Sequence, residues 1–461
     1  MDFLHRLHAL LPADAIITAP DKLASRLQDE RKRFHGQTLA AVLPDSAQQT
    51  AAVVKLCREF KVAIVPQAGN TGLVGGATPL AHHSIIICMD RLNRIRSIDA
   101  AGYSAIVEAG VILSELKEQV AAQQRLFPMW LGSGQSARIG GLISTNAGGL
   151  QVLRYGNMRE LVLGLEAVMA DGSILNTLYA LRKRNAGYDL KQLLIGGEGT
   201  LGIITAASLR LMPAERGRAT ALVTVSDVHQ ALALFEHART CAGEVLTAFE
   251  LITQAAMQLM VSHHPEVRMP FESASKVTVL IELAGSDTDE VLAQKLSEVL
   301  DFYDVQDGVI AQDVAQAENL WALRERIPSA QRRAGPSIKQ DLALPISAIP
   351  DFLISAEDAI RTAMPDVMPI VFGHMGDGNL HYNLTLPHAL KSRFAELEAQ
   401  SNDILFPLAR QFGGDISAEH GIGRLRVAAA DQYHDPVERS LMRAIKQALD
   451  PDGLFNPGVT V

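Results

Sequence analysis

The chain has 461 residues, of which 48% are hydrophobic and 20% charged, the balance of a globular protein large enough for two or more domains. Its formal net charge of −9 argues against binding to nucleic acid or to an anionic membrane, because both require clustered positive charge. The three cysteines, Cys57, Cys88 and Cys241, lie far apart without a CxxC pair, which argues against an Fe–S cluster or a disulfide framework and favours a reducing cytoplasm. We find neither a signal-peptide pattern nor a run of about 18 apolar residues, so we expect a soluble protein without a transmembrane segment.

Hydrophobic patterning in the first 213 residues predicts a mixture of strands and helices. A helix is expected from about Ser46 to Phe60, with Asp45 or Ser46 as its N-cap. Short apolar runs bounded by turn residues predict buried strands between the helical stretches. These runs lie at 62–66, 84–89, 104–110 and 202–213.

A domain boundary is expected after Pro213, where a charged segment follows the last of these strands. Beyond it, the segment ATALVTVSDVHQALALFEHA predicts a strand and then a helix, and a further strand is expected at 276–285. The sequence therefore predicts a second domain with its own sheet, and the first domain is expected to end near residue 215.

Glycine is concentrated in four segments, at 69–76, 132–149, 196–202 and 373–378, where the backbone must turn or approach a ligand closely. The first segment, PQAGNTGLVGG, follows a predicted strand, and its residues tolerate positive φ, so that successive backbone N–H groups can converge on one anion. It fits neither the ATP-binding P-loop nor the GxGxxG pattern of an NAD site. For this loop alone, a tight turn without a ligand remains the alternative.

Further glycine motifs give the loop a specific context. With IGGLISTNAGG, RYGN and GGEGTLGIIT, in this order and spacing, it resembles the FAD-binding domain of the vanillyl-alcohol oxidase superfamily. The resemblance implies an α+β, two-domain FAD-binding fold whose α/β substrate (cap) domain is built on an antiparallel sheet. It also implies that the first loop surrounds the pyrophosphate and that the later motifs follow the ribityl chain and the isoalloxazine. The implied cofactor contacts are Pro66, Gly69, Asn70, Thr71, Gly72, Gly76, Ser133, Gly141, Thr145, Gly149, Glu198 and Ile204.

The mode of flavin attachment depends on histidine. Many members of the superfamily bind flavin covalently through a histidine in the pyrophosphate loop. Residues 66–76 contain no histidine, and His82 and His83 lie outside the loop. We therefore expect the FAD to be bound non-covalently.

Two segments of the C-terminal half carry residues suited to a metal ion. VFGHMGDGNLHYNL places His374 and His381 on either side of an Asp-Gly turn, which would fold the strand back so that both imidazoles converge. DISAEHGIGR supplies Glu419 and His420. Two histidines and a glutamate suit a divalent ion such as zinc, with a position left open for substrate. Two isolated histidines would more often be incidental residues of a polar turn.

These two segments resemble signatures of the D-2-hydroxyacid dehydrogenase branch of the superfamily, which includes D-2-hydroxyglutarate and D-lactate dehydrogenases. The resemblance implies His374, His381 and Glu419 as ligands of a divalent metal, with zinc the first candidate, and His420 as the general base. A neutral histidine can remove the hydroxyl proton near neutral pH while the Cα hydrogen leaves as hydride to flavin N5. The metal would lower the cost of the developing alkoxide.

Cations for the substrate carboxylates are available in LWALRERIPSAQRRAGPSIKQDLALP. The resemblance assigns Arg324 and Lys339 to carboxylate binding, and it assigns Asn383 to a substrate contact. The other arginines of the segment are expected on a solvated helix face. They are Arg326, Arg332 and Arg333.

Two positions leave the resemblance open. Pro328 stands where 2-hydroxyglutarate dehydrogenases of the animal type carry a substrate-contacting threonine, and proline cannot donate that hydrogen bond, so the far end of the substrate stays undetermined. The ending DPDGLFNPG resembles the family's tail, which implies that Asn456 lies near the cofactor, with an ordinary tail turn as the alternative.

Together these motifs predict an FAD-binding domain at 1–215, a substrate-binding and metal domain at 216–425, and a C-terminal segment at 426–461 that returns to the FAD domain. The expected reaction is FAD-dependent oxidation of a D-2-hydroxy acid to the 2-oxo acid. D-2-hydroxyglutarate is the first candidate substrate, and D-lactate or glycolate is the alternative. Family analogy gives an electron-transfer flavoprotein or a quinone as electron acceptor, and the sequence allows a homodimer without specifying it.

Three other interpretations remain open at this point. The flavin could react with O2, which would make the protein an oxidase. A zinc hydrolase would use the two histidines and the glutamate to activate water, with glycine loops that only fold the chain. A flavin-binding subunit without activity of its own is disfavoured, because the metal and base residues form a complete set.

Overall fold

The computed structural model describes residues 2–81, 83–271, 277–301 and 305–461. His82 and Lys276, both part of the sequence predictions, lie outside these ranges. The chain divides into two compact units. The first unit comprises residues 1–149, 155–213 and 419–461, and the second comprises 150–154 and 214–418. The functional domain limits expected at 215 and 425 stay predictions.

The strands and helices alternate along most of the chain. The strands are β1 (Ile16–Ile17), β2 (Ala40–Val42), β3 (Ala63–Gln67), β4 (Ser84–Cys88), β5 (Ile95–Asp99), β6 (Ser104–Glu108), β7 (Arg125–Leu126), β8 (Val162–Val168), β9 (Ile174–Asn176), β10 (Ile203–Arg210), β11 (Met212–Pro213), β12 (Gly217–Val225), β13 (Leu246–Thr253), β14 (Val277–Gly285), β15 (Asp307–Ile310), β16 (Ser337–Ile338), β17 (Asp341–Ala343), β18 (Met368–His374) and β19 (Asn379–Thr385).

The helices are α1 (Phe3–Leu10), α2 (Pro20–Leu23), α3 (Ala47–Phe60), α4 (Leu113–Ala121), α5 (Ile139–Ser144), α6 (Val152–Tyr155), α7 (Met158–Leu161), α8 (Lys191–Leu194), α9 (Val228–Ala242), α10 (Gln254–His263), α11 (Asp289–Leu300), α12 (Val314–Glu325), α13 (Ile327–Ala334), α14 (Ile349–Ala363), α15 (Phe394–Gln411), α16 (Val427–Tyr433) and α17 (Pro436–Leu449). Short 3-10 turns occur at Ala13–Ala15, Ala24–Arg26, Gly243–Val245, Ile346–Ala348 and His388–Arg393.

Helix α3 and strand β3 precede the first glycine loop. The predicted N-cap of the helix is confirmed, because the Ser46 side chain accepts a hydrogen bond from the Gln49 backbone N–H. The helix ends where Lys61 adopts the left-handed conformation, with φ of 55°. Strand β3 then begins at Ala63, and its last residue, Gln67, directly precedes the loop.

The first unit contains two main sheets. One has four strands in the order β1-β2-β4-β3, in which the pairs β2/β4 and β3/β4 are parallel. The other is antiparallel, with the order β5-β6-β10-β8-β9, and a small pair joins β11 to β7. The strand expected at 202–213 is interrupted at Leu211, whose N–H donates to the Tyr103 carbonyl at 2.8 Å, so that β10 and β11 belong to different sheets.

The second unit is built on one antiparallel sheet, as predicted. Its strands lie in the order β15-β12-β14-β13-β18-β19-β16, and β17 also pairs with β19. Apolar residues of α10, α12 and α13 form one buried cluster with Leu280 of β14 and Phe372 of β18. These three helices therefore cover a face of the sheet to which β13 and β18 contribute. In the described ranges, no helix combines the length and apolarity that a bilayer crossing requires.

Candidate flavin cleft and substrate site

The glycine loop after β3 forms one wall of a cleft within the first unit, and the volume of the cleft is about 1270 Å³ when the open solvent at its mouth is included. Most of the residues predicted to contact the cofactor line it, although they come from four separate stretches of chain. These residues are Pro66, Gly69, Asn70, Thr71, Gly72, Gly76, Ser133, Gly141, Thr145, Glu198 and Ile204.

The backbone of the first loop suits an anion. Asn70 has a φ of 53° and donates its side-chain amide to the Gln28 carbonyl at 2.9 Å, which holds the loop open. In the part of the chain that the structure describes, the backbone N–H groups from Gly69 to Leu73 have no hydrogen-bond partner. A Cβ added at Gly72 would meet no atom within 4 Å, so this glycine faces open space. Unpaired amides beside open space fit the pyrophosphate of FAD.

Other glycines are needed for close packing rather than for a ligand. A Cβ at Gly69 would lie 2.3 Å from the Ser136 carbonyl oxygen, and one at Gly149 would lie 2.1 Å from the Trp130 carbonyl oxygen. Gly149 is not among the described residues that line the cleft. The predicted cofactor contact of Gly149 therefore stays a prediction, while its packing against residue 130 accounts for glycine there.

Glu198 joins the cleft to the last segment of the first unit. Its buried carboxylate accepts the backbone N–H groups of Ile422 at 2.9 Å and Gly423 at 2.8 Å. Burial raises the pKa of Glu198, although these two amides oppose the shift. The Asn456 side-chain amide donates to the carbonyls of Gly76 and Glu198, each at 2.8 Å. Asn456 thus ties the cleft walls together, and its direct contact with the cofactor stays a prediction.

Glu419 and His420 also line the cleft. The His420 Nε2 atom lies 3.4 Å from a carboxylate oxygen of Glu419, and both side chains are partly buried. The structure thus places an imidazole at the edge of the cleft, and the role of His420 as a base stays a prediction.

In the second unit, β18 and β19 form the hairpin that the Asp-Gly turn predicts. Phe372 pairs with His381 and His374 pairs with Asn379, so all four side chains lie on the same face of the sheet. The imidazole centroids of His374 and His381 are 5.5 Å apart. The hairpin therefore brings together two imidazole rings from residues that are seven positions apart in sequence.

Glu250 connects the first histidine to the predicted substrate arginine. It lies opposite His374 in the β13/β18 pairing, and its Oε1 is 2.5 Å from His374 Nδ1. Its Oε2 accepts a hydrogen bond from Arg324 Nε at 2.6 Å. All three side chains are buried, and the Arg324 guanidinium stacks over the Phe372 ring at 4.7 Å. Glu250 therefore fixes the orientation of both an imidazole and a guanidinium.

Glu250 and its two partners shift the pKa values of the carboxylate and of the imidazole in opposite directions. Burial alone would raise the pKa of Glu250, but the adjacent His374 and Arg324 hold it at about 2. Burial would likewise lower the pKa of His374, but the Glu250 carboxylate raises it to about 9. The Arg324 Nη2 atom is 3.5 Å from His374 Nε2, the ring nitrogen that Glu250 does not contact.

Asp341 plays a similar part beside the second histidine. It lies opposite His381 in the β17/β19 pairing, with Oδ1 at 3.9 Å from His381 Nδ1. Its carboxylate also accepts hydrogen bonds from the Asn379 side chain at 2.8 Å and from the Ala418 backbone N–H at 3.2 Å. Ala418 is the last residue of the second unit, and Glu419 follows it in the chain.

Lys339 and Asn383 lie further along the same face. Asn383 is buried two residues beyond His381 on β19, and Lys339 directly follows β16. Both donate hydrogen bonds to Gln331 of α13. The arginines expected on a solvated face are exposed at 332 and 333, and Arg326 is partly exposed in an ion pair with Glu266.

Sequence reasoning missed Glu250, Asp341 and Gln331. Glu250 did leave a signal, because it is the single charged residue of the otherwise apolar or neutral strand LTAFELIT. A lone carboxylate in a buried strand requires a partner. Gln331 left a weaker signal, since it lies within a run of charged residues.

Two known protein families match the chain. Residues 38–178 match the family described as FAD binding domain, and residues 214–460 match FAD linked oxidases, C-terminal domain. The mitochondrial D-2-hydroxyglutarate dehydrogenase of Danio rerio is 38% identical over 98% of this chain and 84% of the relative. A D-2-hydroxyglutarate dehydrogenase of Xanthomonas citri pv. viticola is 37% identical over 98% and 95%. A D-2-hydroxyglutarate–pyruvate transhydrogenase of Saccharomyces cerevisiae is 32% identical over 97% and 92%.

Solved structures at low identity share the fold. The chain is similar to p-cresol methylhydroxylase, with a TM-score of 0.79 at 17% identity over 99% of this chain and 95% of that one. It is also similar to alkyldihydroxyacetonephosphate synthase, with a TM-score of 0.75 at 16% identity over 99% and 84%. An FAD-binding domain argues against a hydrolase with empty glycine loops. The chain belongs to the FAD-linked oxidases, and within the vanillyl-alcohol oxidase superfamily it is a member of the flavin-dependent D-2-hydroxyacid dehydrogenases.

Proposed function

We propose that this chain oxidises a D-2-hydroxy acid to the 2-oxo acid, with D-2-hydroxyglutarate as the first candidate substrate. The observation that carries the proposal is a polar cluster at one face of the antiparallel sheet, where His374 lies beside His381 and shares Glu250 with Arg324 of α12. A guanidinium suits a carboxylate, and imidazoles suit a metal that polarises a hydroxyl. The relatives named as D-2-hydroxyglutarate dehydrogenases support this choice over D-lactate and glycolate.

Arg324 is proposed to bind a substrate carboxylate. Its Nε donates to Glu250, which holds the guanidinium in one orientation with Nη2 on the side of His374. A planar guanidinium held in this way recognises a carboxylate through paired N–H groups. Lys339 and Asn383 are proposed as the further substrate contacts on the same face.

His374, His381 and Glu419 are proposed to hold a divalent ion, zinc first among the candidates. The donor chemistry fits, because the Glu250 carboxylate engages Nδ1 of His374 and so leaves Nε2 as the ligand atom, which is the usual second-sphere arrangement for a metal-bound histidine. An ion there would supply positive charge to the developing alkoxide. Chelation should abolish turnover and leave the flavin bound, and full activity in demetallated protein would contradict the proposal.

His420 is proposed to remove the hydroxyl proton. It lines the cleft, and the neutral form of a histidine accepts a proton near pH 7. When bound, FAD supplies the acceptor for the hydride that leaves the substrate Cα. We propose that the flavin is non-covalent, so acid precipitation should leave the yellow colour in the supernatant, and colour retained in the pellet would contradict this.

Anaerobic titration of the oxidised flavin tests the function directly. We expect bleaching with D-2-hydroxyglutarate and not with L-2-hydroxyglutarate, and D-lactate, glycolate and D-malate complete the series. No bleaching by any D-2-hydroxy acid would refute the proposal. Reoxidation by an artificial acceptor but not by O2 would separate a dehydrogenase from an oxidase. An electron-transfer flavoprotein or a quinone stays the proposed acceptor, and the cytoplasm stays the proposed location, although several relatives are named mitochondrial.

A further inference from the structure

Gln331 lies at the centre of a buried and partly buried hydrogen-bond network, and the proposed function gives this residue no role. Its side chain is fully buried on α13. Its Oε1 accepts hydrogen bonds from Asn383 Nδ2 at 3.0 Å and from Lys339 Nζ at 3.3 Å. Its Nε2 donates to the hydroxyls of Ser337 at 3.2 Å and Thr385 at 3.3 Å. The amide oxygen of Gln331 therefore accepts two hydrogen bonds, and its NH2 group donates two.

The orientation of the amide follows from the chemistry of its partners. A lysine ammonium can only donate, so the atom of Gln331 that faces Lys339 must be the oxygen. The same oxygen then determines that Asn383 presents its NH2 group to Gln331. Ser337 and Thr385 are directly opposite each other in the β16/β19 pairing, and they hold the other end of the amide. Gln331 thus fixes both the ammonium and the orientation of the asparagine amide.

The position of Gln331 on its helix adds a second argument. Pro328, at the start of α13, has no hydrogen-bonding side chain with which to read the far end of a substrate. Gln331 is three residues later and so lies on the same side of the helix. It contacts the sheet at Asn383, the next position on this face of β19 after His381. The polar side chain that Pro328 lacks is thus supplied one turn later by Gln331.

We propose that Gln331 is a positioning residue that presents Lys339 and Asn383 to the second carboxylate of the substrate, so that this glutamine determines how strongly the chain distinguishes D-2-hydroxyglutarate from D-lactate. This inference rests on the proposed function and adds to it a residue that determines specificity. An ammonium beside an amide N–H is the chemistry that recognises a carboxylate. Arg324, held by Glu250 beside His374, provides the other cationic point on this face.

The test compares Gln331→Met with Gln340→Met. Gln340 is also buried, but its amide donates to Ser401 and Asn402 of α15, so the control loses comparable hydrogen bonds elsewhere. In stopped-flow flavin reduction, Gln331→Met should raise the apparent Kd for D-2-hydroxyglutarate by about tenfold or more, the usual effect of losing hydrogen bonds to a charged group. The Kd for D-lactate and the limiting reduction rate should stay at the wild-type values. Equal weakening with both substrates, or the same split in Gln340→Met, would overturn the inference.

Binding of glutarate, a dicarboxylate that cannot be oxidised, separates the two proposals. If the wild-type holoenzyme binds glutarate and Gln331→Met does not, the positioning role holds even if no hydroxy acid is turned over. If the wild type oxidises D-lactate but binds neither glutarate nor D-2-hydroxyglutarate, the inference fails and the proposed function stands. Should Gln331→Met fail to fold, Gln331→Glu keeps the shape and places a carboxylate against Lys339. It should then weaken glutarate binding at least as much, and unchanged binding would overturn the inference.

Discussion

The two units prepare their binding sites by different means. The cleft of the first unit is shaped by backbone, with unpaired amides after Gly69 and with open space beside Gly72. The polar face of the second unit is shaped by side chains that strand register places opposite one another, such as Glu250 and His374. A site formed by backbone depends on residues without a side chain, such as glycine. A site formed by side chains depends on pairs of residues that are distant in sequence. The two sites should therefore fail differently when mutated.

The largest effect on the rate of flavin reduction is expected from a side chain in the cleft of the first unit. His420→Asn should retain FAD and metal but slow flavin reduction by about 10²–10⁴-fold, the usual contribution of a positioned general base. The measurement is stopped-flow flavin reduction, with metal content determined on the same samples. His8→Asn, on the exposed side of α1, should reduce its flavin at the wild-type rate.

His374→Ala serves as the opposite case, because a ligand variant should lose its metal. If His420→Asn reduces its flavin at a near-normal rate, or loses its metal, the base is misassigned. Either result would move His420 from proton transfer to another role in the cleft.

Glu250→Gln should damage the side-chain site in two ways at once. The change removes the negative charge shared by Arg324 and His374, and outer-sphere partners of a metal ligand typically contribute ten- to a hundredfold in metal affinity. We expect a loss of that size in metal affinity together with a raised KM, while FAD content stays unchanged. Metal titration and steady-state kinetics measure the two effects.

Glu282→Gln is the matched control for this variant. Glu282 is a buried glutamate of the same sheet, but its partners are Arg218 and Trp321. It should change stability without changing metal affinity. Equal loss of metal in both variants would mean that Glu250 acts only through the fold.

Replacement of the cations should affect substrate binding alone. Arg324→Met and Lys339→Met should each raise KM by about ten- to a hundredfold, the value of one charge-assisted hydrogen bond. Arg332→Met, on the exposed face of α13, should have the wild-type KM. An unchanged KM in both test variants would assign the two cations to a structural role.

The smallest effect is expected at the backbone site. Gly72→Ala adds a methyl group to the open space of the cleft, so FAD binding should weaken by about 1 kcal/mol, roughly fivefold, the lower end of the cost of overpacking. Gly132→Ala also places its Cβ in open space, but Gly132 does not line the cleft. Neither change should alter thermal unfolding of the apoprotein, and equal FAD affinity in both would contradict the proposed pyrophosphate position.

The same contrast explains what could be predicted from the sequence. Glycine loops can be recognised in a sequence because glycine is the residue type that positive φ or close packing requires. Most of the residues predicted to contact the cofactor do line the cleft. The hairpin of His374 and His381 was predictable from its local turn. The pairing of Glu250 with Arg324 was not, because the two residues are 74 positions apart and lie on a strand and a helix that meet only in the folded domain.

Gly149 and Asn456 illustrate a second role that motif residues have in the first unit. Both belong to motifs that resemble cofactor-binding segments, and both also hold the protein's own backbone in place: Gly149 packs closely against the Trp130 carbonyl, and the Asn456 amide donates to the carbonyls of Gly76 and Glu198. Their contacts with the cofactor stay predictions. A motif preserves the residues that hold a loop in place together with those that face the ligand. Sequence alone does not separate the two groups, because both are fixed in type and spacing.

Two late segments complete the cleft, one bound by Glu198 at Ile422 and Gly423 and one bound to Gly76 by Asn456, and their place in the chain bears on how the protein is synthesised. Both belong to the first unit, but the ribosome must synthesise everything from Ala214 to Ala418 before they emerge. Domains that fold during synthesis generally do so from the N-terminal side. We therefore expect the cofactor cleft to stay incomplete while the second unit is translated, and flavin to bind late in synthesis.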